Sequence, residues 1–160
     1  MEGRGTRGLL TPGPVERQLF LELPNDLRCI EDTVEFVVSR CSICEVVDRK
    51  LRLNFQVSLI EALSNAMIYG NCSDPLKKVR VEVFLHEGLV TAQVTDEGSG
   101  FDPGCIPDPT TGRSVRKVSG RGLFLMKTLM DEVHYNDRGN SVKLVLHLSS
   151  PEGIRREASA

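Results

Sequence analysis

The sequence predicts an α+β domain of two layers, an α/β sandwich in which a mixed, mostly antiparallel sheet is covered on one face by helices. Three observations predict it. Two alternating segments, Val79 to His86 and Leu89 to Thr95, are joined by Glu87-Gly88, a two-residue hairpin signal, so part of the sheet is antiparallel. Amphipathic helical periods stand before and after that hairpin instead of alternating with single strands, which disfavours a doubly wound parallel sheet. At 160 residues the chain is long enough to close one core without a metal or disulfide staple.

Each element has its own signal. Residues 1 to 15 are rich in Gly, Arg and Pro and lack a period, so a flexible tail is expected there and again over 150 to 160, leaving 16 to 149 as the folded domain. Arg17 to Leu23 places Leu19, Leu21 and Leu23 on alternate positions and reads as a strand stopped by Pro24. Asn25 or Asp26 caps a helix of about 18 residues with a stripe of Leu27, Ile30, Val34, Val37, Val38 and Cys41. A second helix starts near Asp48 and buries Leu51, Phe55, Leu59, Ala62 and Ala66, with Leu63 and Met67 alongside. Gly70 ends it as a left-handed cap.

After the hairpin, Asp96-Glu97-Gly98-Ser99-Gly100-Phe101 leads into about 17 residues rich in Pro and Gly. That is too long for an ordinary connection, and a mobile lid is expected. Gly120-Arg121-Gly122 opens a third helix with a stripe of Leu123, Met126, Leu129, Met130 and Val133. Ser141 to Leu148 forms a last strand with Val142, Leu144, Leu146 and Leu148 inward.

Composition removes several function classes. A formal charge of −2 gives no strong field toward nucleic acid or an anionic membrane, so a polyanion must be met locally. The five cysteines are odd in number and scattered, and no apolar run is long enough to span a bilayer. A reducing cytoplasm is the expected setting. Cys41 and Cys44 make one C-x-x-C without a second pair at zinc-finger spacing, so they read as small apolar helix residues. His86, His134 and His147 are far apart and read as structural.

Three segments carry chemistry. On the second helix Glu61 and Asn65 are four apart and share a face, with Tyr69 one turn on. Alone, that pair is equally a solvated face. Asp96 stands at a strand end, where its carboxylate can accept from an exocyclic amino group, and Gly98 and Gly100 allow a backbone or ligand to come close. The same motif also suits a plain turn. Gly120, Arg121 and Gly122 begin a helix, whose exposed N–H groups and dipole favour phosphate.

Together the segments E-A-L-S-N-A-M-I-Y-G-N, D-E-G-S-G-F-D-P and S-G-R-G-L-F-L-M-K-T-L-M-D-E-V resemble the nucleotide-binding boxes of the histidine-kinase-like ATPases, the superfamily that includes gyrase. Within it the chain most resembles the bacterial anti-sigma-factor serine kinases of partner-switching systems. A Walker-type loop is absent, which disfavours a P-loop enzyme. The resemblance covers residues 17 to 148 and implies a Bergerat-type ATP-binding fold. It implies ATP and Mg²⁺ as cofactors, with Asn65 on Mg²⁺, Asp96 on the adenine amino group, Gly98 and Gly100 shaping the purine pocket, and Gly120 and Gly122 cradling phosphates. Arg121 would pair with phosphate, Ser141 would help hold a water near the adenine, and Tyr69 stands where many relatives have histidine. Glu61 falls at the family's catalytic carboxylate.

The function so implied is an ATP-dependent anti-sigma factor and protein serine kinase that phosphorylates an anti-anti-sigma partner of STAS type and sequesters a sigma factor. A homodimer is implied, with no direct nucleic-acid or membrane contact. The alternative is a partner-switch module that binds ATP without phosphoryl transfer. The catalytic half of a two-component histidine kinase is disfavoured, because no helical hairpin bearing a phospho-acceptor histidine precedes the domain.

Overall fold

The computed structural model describes residues 17–41, 49, 51–86, 88–100 and 120–148. The two tails, the start of the second helix near Asp48, Cys44 and the expected lid lie outside these residues. The elements are β1 (Arg17–Pro24), a 3₁₀ turn (Leu27–Cys29), α1 (Ile30–Cys41), α2 (Gln56–Asn65), β2 (Lys78–His86), β3 (Leu89–Asp96), α3 (Gly120–Leu129), β4 (Glu132–Tyr135) and β5 (Ser141–His147). Short π-helical segments, Leu51–Phe55 and Ala66–Gly70, flank α2.

The strands form one five-stranded sheet in the order β1-β2-β3-β5-β4. Every pairing among the described residues is antiparallel, in keeping with the mostly antiparallel sheet expected. Its register stacks apolar side chains in rows on one face: Leu21, Val81, Val94 and Val142 are successive partners, as are Leu19, Val83, Ala92, Leu144 and Val133. The helices bury Phe55, Leu59, Leu63, Met67, Leu123 and Met126 in the same core. Apolar burial of this kind, at about 25 cal/mol per Å², supplies most of the stabilisation that holds the two layers together.

Asp26 caps the 3₁₀ turn by accepting from the Arg28 N–H at 3.0 Å, and the Arg28 guanidinium holds its carboxyl down at about 2. α1 therefore starts at Ile30, later than the cap alone suggests, and Leu27 is left 51% exposed outside the stripe. Ile30, Val34, Val37, Val38 and Cys41 are buried as expected, with burial pushing the Cys41 thiol up to about 11. Gly88 sits at φ 68, as a two-residue hairpin requires.

Two expectations fail in instructive ways. Val133 belongs to β4, a four-residue strand paired with β5, and not to the stripe of α3, which ends at Leu129. Gly70 is not a left-handed cap: the left-handed residues are Cys72 and Ser73, at φ 53 and 56. The chain leaves α2 by widening, with the Asn71 N–H bonded to the Ala66 carbonyl at 2.7 Å, five residues back. Glycine is needed at 70 for space, since a Cβ there would lie 2.2 Å from Oδ2 of Asp96.

Candidate functional site

A cavity of about 530 Å³ opens between α2, the end of β3 and the β4–β5 turn. Ala62, Ala66 and Ile68 line it from the helix side, and Val94 and Val142 from the sheet. Asn65, Asp96, Tyr135 and Asn140 add polar groups to these apolar walls. A slot of this size with a few placed polar groups suits a flat heterocycle with a polar edge.

Asp96 is 9% exposed, and its Oδ1 accepts the Gly98 N–H at 2.8 Å. Burial raises its carboxyl above the ordinary 3.8, against the pull of the Gly98 N–H and of the charges on Lys77 and Arg138. A carboxylate this poorly solvated gains more from a ligand N–H than an exposed one would. Tyr135 lines the same cavity, and burial together with the Asp96 charge pushes its hydroxyl up to about 12.

The turn that carries Asp96 is held on both sides. Asn140 accepts the Asp96 N–H on its carbonyl at 2.9 Å and donates Nδ2 to the Asp96 carbonyl at 3.1 Å. Gly98 packs so closely that a Cβ would come within 1.9 Å of the Gly70 carbonyl oxygen. Gly100, at φ 80, would meet the Arg138 carbonyl oxygen at 1.8 Å. Gly98→Ala should therefore cost roughly 2–4 kcal/mol in urea unfolding, because backbone and not a flexible side-chain end must give way.

Asn65 lines the cavity, and its Nδ2 is buried with no hydrogen-bond partner. The fold thus leaves that NH2 group unpaired. Among the described residues no group of three or more His, Cys, Asp or Glu side chains is gathered for a metal. An amide that meets a cation completed by phosphate oxygens and water is compatible with Mg²⁺, which rarely occupies an all-protein cage.

The sequence-predicted residues do not all converge. Asn65, Asp96 and Gly100 line one cavity, Gly98 lies directly behind Asp96, and Tyr69 stands at the cavity, 41% exposed. Glu61 is half-buried one turn before Asn65 and is not among the lining residues. Gly120, Arg121 and Gly122 form the first turn of α3, which packs on α2, and they too are off the lining. Ser141 lines the cavity, but its hydroxyl pairs with Thr95 Oγ1 at 2.7 Å and accepts from Gln93 Nε2 at 3.1 Å.

A family model for the histidine kinase-like ATPase domain matches residues 23–146. The chain belongs to that family. Over 100 residues it is 33% identical to the anti-sigma F factor of Geobacillus thermodenitrificans, covering 59% of this chain and 68% of the relative. It is 26% identical over 106 residues to the serine-protein kinase RsbW of Listeria monocytogenes, covering 62% and 68% respectively. Among solved structures, a mycobacterial sensor histidine kinase, MprB, aligns with 84% of this chain and 99% of its own, with a TM-score of 0.47 and 19% identity. In this histidine kinase-like ATPase domain all three segments that carry the resemblance fall within the matched range. No described helix is long and apolar enough to cross a membrane.

Two polar residues that line the cavity, and one behind it, were given no role by the sequence reading. Tyr135 was hidden with the unread strand β4, and Asn140 with the turn after it. Asn71, 0% exposed, ends the first of the three segments, but its role was hidden because partners such as Asn25 and Glu97 are distant in sequence.

Proposed function

We propose that this ATPase domain is an ATP-dependent anti-sigma factor and protein serine kinase, which phosphorylates an anti-anti-sigma partner of STAS type and sequesters a sigma factor. The observation that carries the reading is one cavity lined by both a buried strand-end carboxylate, Asp96, and a helix amide, Asn65, whose Nδ2 has no partner in the fold. Relatives named anti-sigma F factor and serine-protein kinase support both halves of the role.

In this reading Asp96 accepts the exocyclic amino group of adenine, and the apolar walls hold the ring and exclude water. Asn65 turns its amide oxygen toward Mg²⁺. The ion, when bound, supplies neutralisation of phosphate charge. Gly120 and Gly122 offer backbone N–H groups and Arg121 a guanidinium to the phosphates. Glu61 accepts the proton of a substrate serine as that oxygen bonds to the γ-phosphorus. The bond to the bridging oxygen breaks and ADP leaves. The protein works in the cytoplasm as a homodimer, without contacting nucleic acid or membrane.

With Mg-ATP, radiolabel from the γ-phosphate should pass to a serine of the anti-anti-sigma partner, and the sigma factor should be retained only in the presence of nucleotide. Glu61 lying off the cavity lining favours a second reading, a switch module that binds partners without phosphoryl transfer. Nucleotide-dependent capture without any labelled protein would select it.

A further inference from the structure

Asn71 joins the two halves of the cavity. It is 0% exposed, and its side chain reaches three separate segments. Oδ1 accepts the Glu97 N–H at 2.8 Å, one residue beyond Asp96. Nδ2 donates to the Lys78 carbonyl at 3.0 Å, where β2 begins, and to Oδ1 of Asn25 at 3.2 Å. Asn25 in turn donates to the carbonyls of Met67 at 3.2 Å and Asp74 at 3.0 Å. The Asn71 backbone N–H closes the widened turn on Ala66, the residue after Asn65.

We infer that Asn71 is the positioning residue that fixes the Asp96 turn against the helix bearing Asn65, and so sets the protein's preference for adenine over guanine nucleotides. The inference rests on the nucleotide-binding reading given above. Its physical basis is the division of labour on one side chain. The Oδ1 contact with the Glu97 N–H orients the strand end from which Asp96 projects, because a turn held at the residue after the carboxylate cannot rotate freely about it. The Nδ2 contacts satisfy buried carbonyl and amide oxygens, and serve the fold. Asp96 itself bonds Gly98 and not Asn71, and Asn71 is not among the residues that line the cavity, so Asn71 acts through the backbone. A shift of about 1 Å at the amino-accepting carboxylate is enough to cost roughly 10²-fold, which gives this contact its leverage.

The side-chain oxygen and nitrogen can be separated by substitution. Asn71→Ala removes both, whereas Asn71→Asp keeps an acceptor for the Glu97 N–H and loses the donors. ATP and GTP affinities are measured by displacement of a fluorescent ATP analogue, with phosphoryl transfer measured alongside and folding checked by circular dichroism and melting. Asn71→Ala should bind ATP roughly tenfold to a hundredfold more weakly and lose most ATP-over-GTP preference, with the loss in KM and kcat nearly unchanged. Asn71→Asp should melt lower than the parent yet recover the preference. A folded Asn71→Ala that still discriminates, or an Asn71→Asp that discriminates no better than Asn71→Ala, would overturn the inference. Should neither variant fold, Asn25→Ala decides: it removes the donors to Met67 and Asp74 and one acceptor of Asn71 Nδ2, but spares the Asn71 contacts with Lys78 and Glu97, so melting should fall with preference intact. Loss of preference in Asn25→Ala contradicts the inference. A parent protein that binds neither nucleotide refutes the nucleotide-binding reading itself.

Discussion

Glu61→Gln is expected to lower phosphoryl transfer to the partner serine by about 10²- to 10⁴-fold while leaving ATP affinity within about threefold of the parent. The glutamine keeps length and shape but cannot take the serine proton. Glu61 is on α2 one turn before Asn65 and off the cavity lining, so its loss leaves the walls that hold the nucleotide in place. Single-turnover transfer together with equilibrium ATP binding separates the two effects. Equal losses in both would make Glu61 a binding residue, and unchanged transfer would remove it from the base role.

Asn65→Ala should abolish the Mg²⁺ dependence of nucleotide binding and reduce transfer on the order of 10²-fold or more, since the cation's share of charge stabilisation is several kcal/mol. The same substitution should not harm the unliganded fold. Asn65 is the last residue of α2, its Nδ2 is buried without a partner, and alanine is the better helix former. The melting temperature of the variant should equal or exceed that of the parent. A residue whose removal relieves the fold but disables the ligand response is in place for the ligand. A variant that melts well below the parent would instead assign Asn65 a structural role.

Periodicity made most of the architecture legible. The hairpin, the inward row of β5 and the stripe of α1 from Ile30 onward follow from spacing, since each depends on residues close in sequence. β4 did not, because four residues that alternate exposed and half-buried carry almost no pattern, and Val133 falls equally well on a helical stripe. Gly70 shows a different limit. Its position after a helix predicts a left-handed cap, but its reason for being glycine is the Asp96 carboxylate packed against it, 26 residues away in the chain.

The candidate site was legible to a similar degree. Asn65, Asp96, Gly98 and Gly100 are singled out by the resemblance of their segments to known nucleotide-binding boxes, and the first, second and fourth line one cavity. Asn71 and Asn140 are not, because the roles of these amides are defined by partners such as Asn25 and Asp96 that only the folded chain brings near. Whether Gly120, Arg121 and Gly122 meet a phosphate is likewise not encoded in their spacing, and they stand off the cavity lining in the first turn of α3.

Selection of the purine by Asp96 is the central claim, and titration calorimetry of ATP in magnesium, parent against Asp96→Asn, tests it most directly. The raised carboxyl of Asp96 means that its ionised form costs the unliganded fold some stability. That cost sets in as pH rises from the ordinary carboxylate range through the raised value, and asparagine removes it. The variant should accordingly melt no lower than the parent at neutral pH, yet bind ATP about 10²-fold more weakly, equivalent to about 3 kcal/mol for a lost charge-assisted hydrogen bond. A folded Asp96→Asn that binds ATP like the parent, or a parent that gives no heat with ATP or ADP, would contradict the account.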